Sequence, residues 1–520
     1  MYKIDFETPY ELDVFEWGAP HAFSLMAPVL SSFERSVESG PLRALMLGGL
    51  PEGFSASDLP PVNLGAGNDV FIGTAADETV IGEGGNDLLR GEGGVDTLSG
   101  GDGIDTLYGG DGADILIGGA GDDYLHVDAA DTLSGGSGYD TVIAENLYAS
   151  GLIIDLGATT IERVFGTHQI DNLDASSLTG FGASLYGYSG ADILIGSAQD
   201  DYLYIDEDDV ENGLVDGNGG YDWAYNNSSL SESGDFHVNM AALEIEGYYG
   251  TSDADVSEII TAVGHTGSVT IYGNGGLDVM IGGSGDDYIH VSQGFSIAQG
   301  GLGYDYIIYN TFDGSGLTVN LTLTGFEGAI GRDGDDYFDA TGSLASASLY
   351  GAGGNDTLIG GLGADYLYGD AGDDSLTGGV GRDHFMHDGA FGADTITDFL
   401  IGMDIMLIRT AGVASMADLV VSQDGLDTLI TVGSNSIRLT GVLAVTLSAS
   451  DFIFNPPSAA RPLENVDEGG AIDLSVNDFE ALDPDHSEPG FLFKDDGAAD
   501  VYIFDVDDVW FDNADGVALL

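Results

Sequence analysis

Cysteine is absent from the sequence, which excludes disulfides, thiolate zinc sites and a thiol nucleophile. Positive charge is scarce: 11 Lys and Arg face 88 Asp and Glu, for a formal net charge of −77. Such a chain repels nucleic acid and anionic membrane surfaces and attracts cations. The only lysines are Lys3 and Lys494, so there is no Gly-Lys-Ser/Thr phosphate loop. No apolar run approaches the roughly 20 residues of a membrane span. Lys3 is followed by Asp5 and Glu7, and the best early apolar stretch, residues 23–30, is broken by Ser24 and Pro28, which speaks against a cleaved signal peptide. None of the nine histidines precedes a Glu and no Ser lies in G-x-S-x-G, so the H-E-x-x-H protease site and the lipase elbow are both missing.

What the chain has is glycine, 83 of 520 residues, together with 43% hydrophobic and 10% aromatic residues, enough to build a core and too much for a solvated acidic tail. The glycines fall into a frame, G-G-x-G-x-D-x-U-x with U apolar, that runs in phase from Leu64 to His126. Its sixth positions are Asp69, Glu78, Asp87, Asp96, Asp105, Asp114 and Asp123; its eighth are Phe71, Val80, Leu89, Leu98, Leu107, Leu116 and Leu125. The frame returns with Asp140, with Asp192 and Asp201, with Asp222, with Asp278 and Asp287, with Asp305, and finally with Asp356, Asp365, Asp374 and Asp383. Glycine permits the tight turning of the first six residues. The last three extend and point U inward, so each unit predicts one short strand and two units one turn of a coil. Acids 18 apart then stack: Asp69, Asp87, Asp105 and Asp123 in one file, Glu78, Asp96 and Asp114 in the other. Neighbouring carboxylates repel by about 1–4 kcal/mol per pair at ~4 Å. A hard cation that accepts six to eight oxygen ligands in flexible geometry, calcium, suits carboxylates and turn carbonyls better than magnesium does.

Units such as Gly100-Gly-Asp-Gly-Ile-Asp-Thr-Leu-Tyr108 and Gly109-Gly-Asp-Gly-Ala-Asp-Ile-Leu-Ile117 resemble the RTX, or haemolysin-type, calcium-binding repeat. The resemblance implies an all-β fold, a parallel β-roll or β-solenoid with Ca2+ ions held between successive turns, and export by a type I secretion apparatus into calcium-rich surroundings. Glu78 departs from Asp at its position, which predicts a differently shaped site there.

A longer period overlies the first. Residues 151–166, 234–250 and 316–331 echo one another, each ending in an apolar residue, a glutamate (Glu162, Glu246, Glu327), three residues and Gly. The closing Gly opens a degenerate nonapeptide that places Asp171, Asp255 and Asp336 at its sixth position. The expected division is an N-terminal segment (1–62), a first roll (63–143), two β modules with short rolls (144–308), a third module lead-in (309–350), a last roll (351–388), a β-rich C-terminal cap of antiparallel strands or further coil turns (389–455) and an acidic tail (456–520). In the tail, Val466-Asp-Glu-Gly-Gly470 and Leu482-Asp-Pro-Asp-His-Ser487 resemble the opening of a cadherin-like repeat, and Ala514–Leu520 fits a C-terminal export signal.

The remaining constellations have plainer explanations. His384 and His387 are the one pair spaced for a transition metal, but a roll edge is expected to turn them to solvent, as it is His126 and His290 at the outward ninth position. Paired acids such as Asp122–Asp123 and Asp286–Asp287 suggest a glycosidase, yet the repeat accounts for one acid of each pair. Tyr124, Tyr202, Tyr288 and Tyr337 recur after such acids as a stripe suited to packing or to a sugar. The sequence therefore points to a secreted calcium-binding protein of structural, surface-layer or adhesive type, with a cell-surface or polysaccharide ligand. An extracellular polysaccharide-active lyase, hydrolase or epimerase carrying the same modules is the alternative.

Overall fold

The computed structural model describes residues 61–145, 150–227, 236–251, 256–295, 297–311 and 314–454, with five further strands at Tyr2–Asp5, Glu11–Phe15, Arg43–Leu47, Phe491–Leu492 and Ile503–Phe504. Two compact units divide the chain, Met1–Pro456 and Pro457–Leu520. In the second, the two short strands pair antiparallel. The stretches likened to a cadherin-like repeat, the suggested export signal and Asp255 lie outside the described residues.

The first unit is a parallel β-solenoid of about 17 turns. Each nonapeptide folds as its glycines and single apolar residue dictate: the eighth residue points inward, and Phe71, Val80, Leu89, Leu98, Leu107, Leu116 and Leu125 are all fully buried. Leu89 pairs with Leu107 and Leu107 with Leu125, so two units make one turn. One face is a continuous sheet running from Asp69–Thr74 to Phe452–Phe454. The opposite face is broken into four sheets, which begin at Val62–Ala66, Ile153–Asp155, Phe236–Asn239 and Thr318–Asn320.

The last three of these sheets begin in the long-period segments. In each, a strand is followed by a single helical turn, Leu156–Thr159, Met240–Leu243 or Leu321–Thr324. Asp155, Asn239 and Asn320 cap these turns by accepting a backbone N–H, and left-handed residues, Thr160, Glu244 and Gly325, end them. The C-terminal end combines parallel and antiparallel strands. Ile405–Arg409 and Phe452–Phe454 continue the parallel face, while Val420–Asp424, Asp427–Val432 and Asn435–Leu439 form antiparallel hairpins. At the other end, Arg43–Leu47 lies parallel to Asp69–Thr74.

On the outer side of the continuous sheet, rings at the ninth position stack on one another: Tyr108 on His126 at 3.9 Å, Tyr186 on Tyr204 at 3.7 Å, Tyr272 on His290 at 3.9 Å and Tyr350 on Tyr368 at 4.3 Å. These ring faces pack on neighbouring rings along the column. His290, expected at the surface, is only 3% exposed because it stands inside this column. Tyr288 likewise stacks on Tyr306, at 5.6 Å, whereas Tyr124, Tyr202 and Tyr337 stay partly exposed.

Candidate metal centres

The sixth-position acids form two ladders along the solenoid. Each carboxylate uses one oxygen to accept the backbone N–H of the acid one turn earlier: Asp69 N–H donates to Asp87 Oδ1 at 2.7 Å, Asp87 to Asp105 at 2.7 Å, Asp105 to Asp123 at 2.8 Å and Asp123 to Asp140 at 2.9 Å. The second file runs from Glu78 to Asp96 at 2.6 Å and from Asp96 to Asp114 at 2.7 Å. The later acids stack likewise, with Asp201 on Asp222, Asp287 on Asp305, Asp356 on Asp374 and Asp365 on Asp383. Asp192 and Asp278 take their places through the N–H of Asp171 and Glu258.

The other oxygen divides the acids into two kinds. In Asp87, Asp96, Asp105, Asp114, Asp123, Asp140, Asp192, Asp222, Asp305, Asp356 and Asp374, Oδ2 is buried with no hydrogen-bond partner. It faces the first glycine of its own unit and, at Asp87, Asp96, Asp123, Asp140, Asp222 and Asp305, a main-chain carbonyl of the next turn. A Cβ on Gly82 would collide with Asp87 Oδ2 and the Gly100 carbonyl, and one on Gly118 with Asp123 Oδ2 and the Gly135 carbonyl. A buried carboxylate oxygen left bare is costly unless a cation meets it. These cradles fit calcium: hard anionic oxygen, carbonyl oxygen, and no side chain in the way. Among the described residues no three Asp, Glu, His or Cys side chains converge, so backbone carbonyls must complete any such site.

In the second kind, the residue four positions earlier donates its N–H to the spare oxygen: Ser197 to Asp201 at 2.6 Å, Gly283 to Asp287 at 2.5 Å, Gly361 to Asp365 at 2.6 Å, Thr167 to Asp171 at 2.7 Å and Arg332 to Asp336 at 3.2 Å. Glu78 behaves the same way, holding both the N–H and the hydroxyl of Thr74, so its departure from Asp marks a turn that satisfies itself. The backbone explains the difference. Before the open acids, the residue at that position has positive φ, as in Glu83, Glu92, Gly101, Gly110, Gly119, Tyr188, Asn218, Gly301, Ala352 and Asp370, which rotates its N–H off the carboxylate. The five self-capped aspartates just named have no acid one turn back. In that place stand Ala183 for Asp201, Val269 for Asp287, Ala347 for Asp365, Leu152 for Asp171 and Leu317 for Asp336. Asp404, by contrast, accepts the Leu400 N–H in the same way and follows Asp383.

Burial raises the open carboxylates well above the usual acid range: Asp87, Asp96 and Asp123 to about 7, Asp222 and Asp356 to about 8, with the neighbouring acids of the ladder adding to the shift. Asp287 and Asp336, held by backbone amides, reach about 6, as does the open Asp140.

Several ladder members lack the nonapeptide signature. Asp131, Asp209, Glu162, Glu246, Glu258, Glu327, Asp394 and Asp404 all accept or donate ladder hydrogen bonds. The repeated glutamates were visible as a long period in the sequence; the others had no spacing to betray them. The first acid of each pair is also engaged: Asp122, Asp200 and Asp286 accept the N–H of Tyr139, Tyr221 and Tyr304 in the following turn. Both acids of a pair therefore serve the coil. His387, expected in solvent, is fully buried with Nδ1 3.0 Å from Asp394 Oδ2, because the roll continues over it; His384 stacks on Tyr366 instead. Sequence positions i and i+3 of one strand face opposite ways, so these histidines do not converge.

The fold and its turns define a parallel β-roll strung on stacked acidic glycine turns. Known proteins place it further: the family model of the RTX calcium-binding nonapeptide repeat matches residues 64–98, 90–125, 127–146, 181–209, 261–289 and 350–385. The chain carries RTX calcium-binding nonapeptide repeats. Among solved structures, the extracellular lipase LipA from Serratia marcescens is similar over 45% of this chain and 45% of that one, at 19% identity and a TM-score of 0.22. This chain thus spans under half the length of that lipase. No curated protein matches. Among the described residues no helix is long and apolar enough to cross a membrane.

Proposed function

We propose that the protein is exported unfolded and folds outside the cell when calcium fills the open turns, giving an acidic β-solenoid of structural, surface-layer or adhesive use. The observation that supports this is the row of aspartates whose second oxygen is buried, unpartnered and set against a glycine cradle. The eleven open aspartates, Asp87, Asp96, Asp105, Asp114, Asp123, Asp140, Asp192, Asp222, Asp305, Asp356 and Asp374, are the acids that would hold Ca2+, and Asp69, Asp278 and Asp383 would join them as members of the same ladders. Without the ion, bare carboxylates stacked turn on turn oppose folding; with it, the same acids cross-link successive turns. Affinities in the range of extracellular modules, about 10⁻⁴–10⁻³ M, would keep the chain unfolded in the cytoplasm and folded outside. Calcium titrated into chelator-treated protein should convert a disordered far-ultraviolet circular dichroism spectrum into a β spectrum. A full β spectrum in excess chelator would overturn the proposal.

A further inference from the structure

Each long-period segment meets the preceding roll at an acid that ends a run of aspartates, and the three meetings are alike. At the first, Asp140 donates its N–H to Glu162 Oε2 at 2.8 Å; at the second, Asp222 donates to Glu246 at 2.9 Å; at the third, Asp305 donates to Glu327 at 3.1 Å. The glutamates stand where the next aspartate of a regular roll would stand. Asp140, Asp222 and Asp305 are 0%, 1% and 0% exposed, and each leaves Oδ2 without a partner.

The carbonyl that meets this oxygen comes from outside the repeat. A Cβ on Gly135 would strike Asp140 Oδ2 and the Thr160 carbonyl; on Gly217, Asp222 Oδ2 and the Glu244 carbonyl; on Gly300, Asp305 Oδ2 and the Gly325 carbonyl. Thr160, Glu244 and Gly325 are the left-handed residues that end the three single-turn helices, with φ of 54°, 52° and 76°. A β-branched threonine rarely adopts that conformation, and here it is kept where it presents its carbonyl to a bare carboxylate. None of Thr160, Glu162, Glu244, Glu246, Gly325 and Glu327 falls in a segment that the repeat family matches.

We infer that the last ion of each run, at Asp140, Asp222 and Asp305, is a hard divalent cation held by donors from outside the repeat, the carbonyls of Thr160, Glu244 and Gly325 and the carboxylates of Glu162, Glu246 and Glu327. A helix end and a glutamate replace the glycine turn and aspartate of the ordinary site and supply the same donors, one carbonyl and one carboxylate. The inference rests on the calcium reading of the open turns. The second junction differs in one respect: Glu246 Oε1 is also 3.0 Å from His265 Nε2, a competing partner that the other two glutamates do not show among the described contacts.

Counting ions on the full chain by native mass spectrometry at saturating calcium tests this. E162Q, E246Q and E327Q should each bind one ion fewer than the unaltered chain, and the combined variant three fewer, with the β spectrum at saturating calcium retained. An unchanged count in variants that fold would overturn the inference. Independently of any variant, anomalous scattering from crystals of the unaltered, calcium-loaded chain should place an ion between Asp140 Oδ2 and the Thr160 carbonyl and at the two equivalent places. Ions at Asp105 and Asp356 with none at the junctions would defeat the junction sites alone. A chain that binds no calcium anywhere would defeat the calcium reading as a whole.

Discussion

From Asp87 to Asp140 the roll is a run of bare oxygens: Asp87, Asp96, Asp105, Asp114, Asp123 and Asp140 are all open. Beyond Gly151 open and self-capped acids are mixed: Asp171, Asp201, Asp287, Asp336 and Asp365 hold backbone amides, while Asp192, Asp222, Asp305, Asp356 and Asp374 do not. The same coil is thus stabilised in two ways. The first block depends on something filling its turns. The modules contain self-capped acids that need nothing in their turns, and they add one-turn helices and a hairpin cap. Each of the eleven open aspartates has another acid one turn back, so a cation there finds donors on both turns.

Calcium withdrawal should separate the two regions most sharply. In hydrogen exchange followed by mass spectrometry at falling calcium, amides of 79–127 should lose all protection at a higher calcium concentration than those of 393–439. Simultaneous loss would mean that the closed turns confer no independence. One acid from each kind sharpens the contrast. At a hundredfold excess of calcium over its dissociation constant, an occupied site stabilises by about 2.7 kcal/mol. Asp105→Asn should therefore lose roughly that much at high calcium and little at low calcium. Asp365→Asn, which disturbs the amides of Ala347 and Gly361, should cost about 1.5–3 kcal/mol whatever the calcium level. Urea unfolding at a series of calcium concentrations reads both, and parallel calcium dependence in the two variants would erase the distinction between turns.

The coil itself was legible because nine-residue spacing fixes both strand and turn: the buried Leu89, Leu98 and Leu107 and the stacked Asp87 and Asp105 stand where the period puts them. The state of each turn was not. Gly282–Asp287 and Gly360–Asp365 match the motif as well as Gly378–Asp383 does, yet in the first two the second glycine donates to the acid, while Gly379 adopts φ 94°. Glycine accepts either conformation, so sequence leaves the choice to the turn below. Thr74, Thr167 and Ser197, poor in the left-handed region, do announce closed turns. The surface histidines were misjudged because the ninth position counts as outward by alternation, and nothing local shows that a column of rings covers it.

That column supplies a weaker test, since both regions contain the same pair, His126 on Tyr108 and His290 on Tyr272. Burial lowers both histidines to about 4. A depressed histidine favours the fold fully above its unfolded value of about 6.5, and the advantage is lost as pH falls toward 4. For the buried His290 the loss at pH 4 amounts to about 3 kcal/mol; for the more exposed His126 it is smaller. His290→Phe should keep the stack and flatten the acid limb, so that the variant gains on the unaltered chain between pH 7 and pH 4.5 at fixed excess calcium. Equal pH dependence in the two proteins would show that His290 is not held neutral.

The smallest effect lies within the modules, where one left-handed helix end is Glu244 in the second and Gly325 in the third. An ordinary side chain in that conformation costs about 1 kcal/mol relative to glycine. Glu244 is exposed, and its carbonyl, not its side chain, faces Asp222. Glu244→Gly should therefore raise stability by about 0.5–1 kcal/mol, and Gly325→Ala should lower it by a similar amount, both read from urea midpoints at saturating calcium. If Glu244→Gly destabilises instead, the glutamate side chain makes a contribution larger than the strain it imposes, and the second junction is not built like the third.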